Sequence, residues 1–251
     1  MKAMILAAGL GTRLRPLTDE RPKALVTLAG RTLLEITLFR LRSFGVSEVI
    51  VNAHHHAGMI ADYINAHDFG MRIELSLEEN LLDTGGGLKN AAHFFSDSRG
   101  EPFILHNVDV LSTIDLGRMV RYHSEQRALA TLAVQDRESS RLLLFDEMDR
   151  LCGRCIERAG GEEFPEIEWA QPAPEVYTLA FAGIHVLSPL IFEKMEEQGA
   201  FSIIDAYLNL ASQGEKIVAF WADEYYWRDL GRPENLLEAA QDVASGKYSI
   251  S

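Results

Sequence analysis

Two glycines, a threonine and two cations near the amino terminus have the composition of an anion-binding turn. The segment Leu6-Ala7-Ala8-Gly9-Leu10-Gly11-Thr12-Arg13-Leu14-Arg15-Pro16-Leu17-Thr18 runs on to Pro22-Lys23. Gly9 and Gly11 remove side chains where a backbone has to approach a phosphate, and the N–H groups of such a turn form a nest for anionic oxygen. Arg13 and Lys23 add fixed positive charge. The spacing is not that of a Walker loop, which needs Gly-Lys-Ser or Gly-Lys-Thr, and Leu14 stands where a dinucleotide fingerprint has its third glycine. Glycines after a strand also suit an ordinary turn, so the loop by its own residues specifies only a chemistry: holding a phosphate chain against cations. A polyphosphate also needs a metal ion for the charge those cations leave. Asp109 follows the apolar run Pro102 to His106 through Asn107 and Val108, and Asp229 lies in Trp227-Arg228-Asp229-Leu230-Gly231. A carboxylate at a strand's carboxyl end suits magnesium, although each Asp also fits a helix cap or a surface acid.

The elements that must position these residues alternate between strand and helix. Ala3 to Ala7 is a short continuous apolar run, as in a strand buried on both faces of a parallel sheet. From Thr32 to Phe44 apolar residues recur at helical spacing, and Gly45 supplies the stop. Strands are expected at 46–53, 71–77 and 102–106, with helices at 56–67 and 87–95 between them. After Asp109 the rhythm changes: a helix at 116–125 precedes strands at 128–134, 141–145 and 151–156. Gly160 to Pro174 reads as an exposed excursion. A strand at 176–187, helices at 189–195 and 203–212, strands at 216–221 and 226–229, and a last helix opened by Pro233 at its first position complete the chain. The fold class is therefore α/β, a Rossmann-like mixed and mainly parallel sheet flanked by helices, with a small antiparallel insertion.

The 251 residues hold 24 Lys and Arg against 37 Asp and Glu, a formal net charge of -13. So acidic a chain offers no diffuse attraction to phosphodiester backbones or anionic lipid, which argues against nucleic acid and membrane as partners. Cys152 and Cys155 form a lone C-x-x-C without the second half of a zinc site, and read as incidental thiols in a reducing cytoplasm. The apolar stretch from Met1 to Leu10 is too short to span a bilayer and reads as a core strand rather than a signal. His54, His55 and His56 are consecutive, so their side chains face different ways and do not all converge on one ion. Asn52, at a strand end, is a candidate substrate contact. The aromatic cluster Trp221, Tyr225, Tyr226 and Trp227 reads as core.

G-x-G-T-R-L-x-P-x-T followed by P-K, as in Gly9 to Lys23, resembles the signature of the sugar-phosphate nucleotidyltransferases, and the similarity extends over essentially the whole chain. The resemblance implies the nucleotide-diphospho-sugar transferase fold in one domain, with a nucleotide-binding half at about 1–112 and a sugar-binding half at about 113–235. It implies an enzyme that transfers a nucleoside monophosphate from UTP, GTP, dTTP or CTP to a sugar 1-phosphate, giving NDP-sugar and pyrophosphate with Mg²⁺ as cofactor. On that basis Leu6, Ala8, Gly9, Gly11 and Thr12 cradle the nucleotide, Arg13 binds the β and γ phosphates, and Lys23 sits beside the sugar phosphate. Asp109 and Asp229 match the family's metal-binding aspartates, and Arg13, Lys23 and Asp109 form the catalytic set. Asp83-Thr84-Gly85-Gly86-Gly87 matches the element that packs on base and sugar, giving Thr84 and Gly85 to the nucleotide and Gly86 to the sugar; Glu78 is a further base contact. Asn107, Gly183 and Asn52 fall on the sugar side.

The chain departs from the family's pattern in places. Val108 replaces the usual glycine before the metal-binding Asp, and no E-K-P element lies between Asp136 and Tyr177. The lysine that element carries has no counterpart, so Arg137 or Arg141 is left either to replace it or to lie on the surface. Among family types the chain is most similar to the N-acetylmuramate 1-phosphate uridylyltransferases, with mannose 1-phosphate guanylyltransferases and glucose 1-phosphate thymidylyl- or uridylyltransferases as alternatives. A choline-phosphate cytidylyltransferase of the same fold and a non-catalytic nucleotide-sugar sensor are the competing functions.

Overall fold

A computed structural model of the chain describes residues 1–98, 100–156 and 166–250. Strand β1 (Lys2–Leu6) leads into the glycine loop, and a small hairpin of β2 (Thr27–Leu28) and β3 (Arg31–Thr32) follows. Helix α1 (Leu33–Ser43) starts where the Thr32 hydroxyl accepts the Glu35 N–H at 3.1 Å, a side-chain cap for an otherwise unpaired donor. Then come β4 (Glu48–Ala53), α2 (Ala57–Ala66), β5 (Arg72–Leu77), α3 (Asp83–Asn90), β6 (Phe103–Asn107), β7 (Val110–Ser112) and α4 (Leu116–Gln126). Asp115 caps α4 by accepting from the Arg118 N–H at 2.8 Å. The second half holds β8 (Ala130–Gln135), β9 (Arg141–Phe145), β10 (Leu151–Ile156), β11 (Glu166–Trp169) and the long β12 (Tyr177–Leu187). It ends with α5 (Ile191–Lys194), α6 (Ile203–Ser212), β13 (Ile217–Trp221), β14 (Trp227–Asp229) and α7 (Pro233–Ala244).

The expected fold class is the one observed. Strands β6, β1, β4 and β5 lie side by side and parallel, while β12 joins β6 antiparallel. Burial on both faces explains the unbroken apolar run of β1: Ala3 and Ile5 pack into the core that contains α1, and Met4 packs into the core that contains α3 and α6. The register pairs Leu6 with Asn52 on one side and with Asn107 on the other, so the carboxyl ends of three strands form one edge. Open α/β sheets bind ligands at that edge. Among the described residues no helix is long and apolar enough to cross a membrane.

Several expectations change. Helix α3 begins at Asp83 instead of residue 87, so the triple glycine lies inside a helix and is buried. Glycine disfavours helix, but close packing on both sides of this one outweighs that preference. Part of the expected excursion at 160–174 is a strand: β11 pairs antiparallel with β10, Glu168 opposite Arg154. The rest of it up to residue 165 lies outside the described residues. Trp221 is 39% exposed, its ring edge-on to Tyr177, so the aromatic cluster is not all core. Cys152 and Cys155 lie on β10 as expected, and burial pushes the Cys152 thiol up to about 11.

Candidate functional site

The glycine loop is held from below by a buried amide. Asn52 Oδ1 accepts the N–H groups of Ala7 at 2.6 Å and Ala8 at 3.3 Å, and its Nδ2 donates to Glu78 Oε1 at 2.6 Å. The other Glu78 oxygen accepts the Leu82 N–H at 3.0 Å, which ties the loop after β1 to the start of α3. Glu78 is thereby spent on Asn52 and Leu82, whereas Asn52 both braces the loop and faces a cavity.

Above this support the loop turns at Gly11, where φ is +65°. Its carbonyl accepts the Thr18 hydroxyl at 2.8 Å, and a Cβ there would lie 3.0 Å from Thr18 Cγ2 and 3.2 Å from Lys23 Cβ. Glycine is thus required both for the backbone angle and for the closure of Thr18 and Lys23 onto the turn. Gly9 differs, since no protein atom lies within 4 Å of the place its Cβ would take. Residues 12–14 form one turn of 3₁₀ helix that buries Leu14 and leaves Thr12 and Arg13 exposed.

Three chain segments, at Lys23, Asp109 and Asp229 to Gly231, converge beside this loop. The Lys23 ammonium donates to Asp109 Oδ2 in a largely buried ion pair. Strand β14 pairs antiparallel with β7, Asp229 opposite Val110, and the Leu230 N–H donates to the Asp109 carbonyl at 2.7 Å. The two aspartates, 120 positions apart in the numbering, are therefore brought side by side. Asp229 Oδ1 accepts the Gly231 N–H at 2.8 Å. A Cβ on Gly231 would lie 2.9 Å from Arg13 Nη2, 2.9 Å from Asp229 Oδ1 and 3.2 Å from Lys23 Nζ, so three charged side chains ring this one glycine. Sequence reasoning did not single out Gly231; its only signal was a residue without a side chain two places after Asp229.

One cavity adjoins the cluster and a second lies beside the first. The first, about 510 Å³, is walled by Leu6, Ala8, Gly9, Lys23, Asn52 and Asp109, and Val108 also faces it. The second, about 570 Å³, is walled by Arg141, Phe181, His185 and Ser202. Asp83, Thr84 and Asn107 belong to both, so the two are neighbours. Gly183, at φ +74°, makes room for the shared wall: a Cβ there would lie 2.9 Å from Asn107 Nδ2 and 2.8 Å from Val110 Cγ2. Thr84 reaches the cavities and accepts the Ile203 N–H at 2.9 Å. Gly85 and Gly86 face the chain itself, their N–H groups donating to the Phe201 carbonyl at 2.9 and 3.3 Å. Gly87 turns the other way, where a Cβ would lie 2.7 Å from both Asn52 Nδ2 and Glu78 Oε1. The missing side chains of this triplet admit protein.

Histidines near the site are not placed for proton transfer. Burial, aided by Arg40, pushes His106 down to about 4, and burial with the neighbouring His106 pushes His185 down to about 3, so both rings are neutral at pH 7. His54 meets the Glu78 carbonyl at 2.8 Å, while His55 and His56 lie against each other. Among the described residues no three His, Cys, Asp or Glu side chains gather as a metal-binding group. Asp109 and Asp229 offer a pair of hard oxygen donors.

The chain matches the family profile described as nucleotidyl transferase over residues 2–246. N-acetylmuramate alpha-1-phosphate uridylyltransferase of Caulobacter vibrioides is 32% identical over 250 residues, covering 96% of each chain. Mannose-1-phosphate guanylyltransferase of Mycobacterium tuberculosis is 29% identical over 249 residues, 97% of this chain; this chain spans only 65% of that protein's length. Among solved structures, a UDP-glucose pyrophosphorylase complexed with UDP-glucose superposes with a TM-score of 0.76 at 18% identity, covering 98% of both chains. HddC from Yersinia pseudotuberculosis gives 0.75 at 22% identity, covering 96% of this chain and 98% of that one. At such identities the structural likeness establishes the fold.

Proposed function

The chain belongs to the nucleotidyl transferase family, and on that premise we propose that it joins a nucleoside monophosphate from an NTP to a sugar 1-phosphate. An oxygen of the sugar phosphate attacks the α-phosphorus; the bond from that phosphorus to the oxygen bridging to the β-phosphate breaks, and pyrophosphate leaves with the electron pair. The observation that carries the reading is the convergence of Arg13, Asp229 and Lys23 around Gly231, with Lys23 and its partner Asp109 walling a cavity large enough for a nucleotide. The neighbouring second cavity supplies a place for the acceptor.

Ionised phosphate is already a nucleophile at neutral pH, so neutral, buried histidines are no obstacle. Catalysis then rests on placing two anions together and holding charge as it moves to the leaving group. The loop at Gly9 and Gly11 receives the triphosphate, with open space at Gly9 for a phosphate or ribose. Arg13 holds the leaving pyrophosphate, and Lys23 screens the repulsion between the two substrates. Leu6 and Ala8 line the nucleotide side with Thr84, Thr12 reaches the nucleotide from the exposed turn, and Asn107 and Gly183 shape the acceptor side.

The two aspartates fit a magnesium ion, which takes one or two carboxylates and fills its other positions with water and phosphate oxygen. Asp109 and Asp229 would hold it, and when bound it neutralises charge on the polyphosphate. The acidic chain fits a cytoplasmic enzyme.

A pyrophosphate-release screen of UTP, GTP, dTTP and CTP against sugar 1-phosphates tests the reading. Turnover with at least one pair is expected. Tight NTP or NDP-sugar binding with no release from any pair would favour a sensor instead, and turnover only with choline phosphate would move the chain to the cytidylyltransferases.

A further inference from the structure

The acceptor half carries a cation that the scheme above leaves unused. Arg137, in the turn between β8 and β9, is half-buried, and its setting is made by an irregularity in β12. Phe181 pairs with Val134 but His185 pairs with Leu132, so β12 runs two residues longer than β8 between those points. Such a bulge takes groups out of the ladder and re-aims them. The Ala182 carbonyl accepts Trp227 Nε1–H at 2.7 Å, and the Phe181 carbonyl accepts Arg137 Nη2–H at 2.9 Å. The Arg137 guanidinium lies 3.8 Å from the centre of the Trp227 ring, so the planar cation is fixed by a stack and a hydrogen bond.

Its charge is not balanced as that of two other partly buried arginines is. Arg154 holds Glu168 and Asp205, and Arg228 holds Glu238 and Asp242. Among the described residues no carboxylate lies within ion-pairing distance of Arg137, and its buried Nε–H has no acceptor. Burial lowers its pKa, and the charge of Asp229 pulls the other way. Half-burying a guanidinium without a counter-ion is costly, and an anionic ligand would offset that cost.

We propose that Arg137 binds the phosphate of the sugar 1-phosphate acceptor, an assignment that rests on the nucleotidyltransferase reading above. Position favours the acceptor over the triphosphate. Arg13 and Lys23 meet Gly231 from the phosphate loop, whereas Arg137 hangs from Phe181, which walls the second cavity with Asn107. Asp229 meets Arg13 and Lys23 around Gly231, and its charge also acts on Arg137. A fixed guanidinium presents N–H groups to phosphate oxygens in a planar fork, leaving another oxygen to face the α-phosphorus. Lysine would keep the charge but lose the fork and the stacking face.

Steady-state kinetics on Arg137→Gln and Arg137→Lys, with a thermal midpoint for each, test this on whichever of glucose, mannose or N-acetylmuramate 1-phosphate the wild type uses. Removing the charge is expected to raise the acceptor KM about 10- to 100-fold with less than about a threefold change in the NTP KM, and lysine is expected to recover part of it. An acceptor KM that stays put while the midpoint falls would make Arg137 a structural clamp and overturn the proposal. So would an NTP KM that rises as much as the acceptor KM. If Arg137→Gln does not fold, Arg137→Lys carries the test, with an acceptor KM raised about three- to tenfold. A wild type without turnover contradicts the functional reading and not this assignment. Calorimetric titration of those sugar 1-phosphates into wild type and Arg137→Lys then tests it directly: weaker binding in the variant supports it, and equal or absent binding overturns it.

Discussion

Lys23 and Asp109, 86 positions apart, are bound to each other at the carboxyl edge of the sheet. The lysine arrives with the phosphate loop and the aspartate with the turn from β6 to β7, so the pair closes the loop onto the strand ends. A phosphate that engages the ammonium, or a metal ion that engages the carboxylate, competes for the same contact. On the proposed function, nucleotide and metal binding would be coupled through this one ion pair.

Removing the ammonium separates chemistry from affinity. Lys23→Ala is expected to lower kcat by about 100-fold or more, the scale for losing one group that faces developing charge, while the NTP dissociation constant rises less than tenfold. Rapid-quench turnover and equilibrium nucleotide binding together check this; a loss confined to affinity would contradict it.

Gly231→Ala puts a methyl where Arg13, Asp229 and Lys23 meet. The atoms it meets end flexible side chains and the backbone there is not left-handed, so the fold should tolerate it. Expected are a thermal midpoint within a few degrees of wild type and kcat/KM down at least about tenfold from displaced charged groups. Unaltered kinetics would show that the convergence has no bearing on turnover.

Asn52→Leu strips the Ala7 and Ala8 N–H groups of their acceptor and leaves Glu78 without the donor from Nδ2. Buried groups left unpaired cost about 1–3 kcal/mol each, and more for a charged one. Chemical denaturation should register a loss of at least about 2 kcal/mol, with weaker NTP binding from a loosened loop. Stability equal to wild type would rule out this bracing role.

EDTA should stop turnover and added magnesium should restore it. Asp229→Asn keeps the size of the side chain and removes its charge, and should raise the magnesium needed for half-maximal rate at least about tenfold, no less than the loss of an outer-shell partner at other metal sites. A magnesium titration indistinguishable from wild type would remove Asp229 from the metal site.

Acid stability follows from the buried imidazoles. Burial holds His106 and His123 at about 4 and His185 at about 3, below the usual 6.5. Between those values the unfolded chain binds more protons, so this contribution is fully present above about pH 6.5 and is lost as pH falls toward 4. Each unit of that descent costs about 1.4 kcal/mol per imidazole. Urea midpoints should decline from pH 6.5 to 4.5, and His185→Gln should flatten the decline by about a third.

Gly9, Gly11, Arg13 and Lys23 were legible because they are close in sequence and follow a strand whose apolar run reveals two-sided burial. Strand and helix periods also revealed the sheet, since a residue's local neighbours decide those periods. Glycine at 85–87 misled for a physical reason: its small volume served helix packing against Phe201, Asn52 and Glu78, and a glycine's sequence context does not say what occupies the space it leaves.

Local order along the chain was enough to establish an α/β fold and to point to a candidate phosphate loop and two aspartates at strand ends. Tertiary structure alone decided that Lys23 pairs with Asp109, that Gly231 brings Arg13 to Asp229, and that Arg137 lies on Trp227. Those relationships depend on the β7–β14 register and on the bulge in β12, which are selected by packing across the whole sheet. Periodicity reports which face of a strand is buried and carries no information about which distant strand lies opposite.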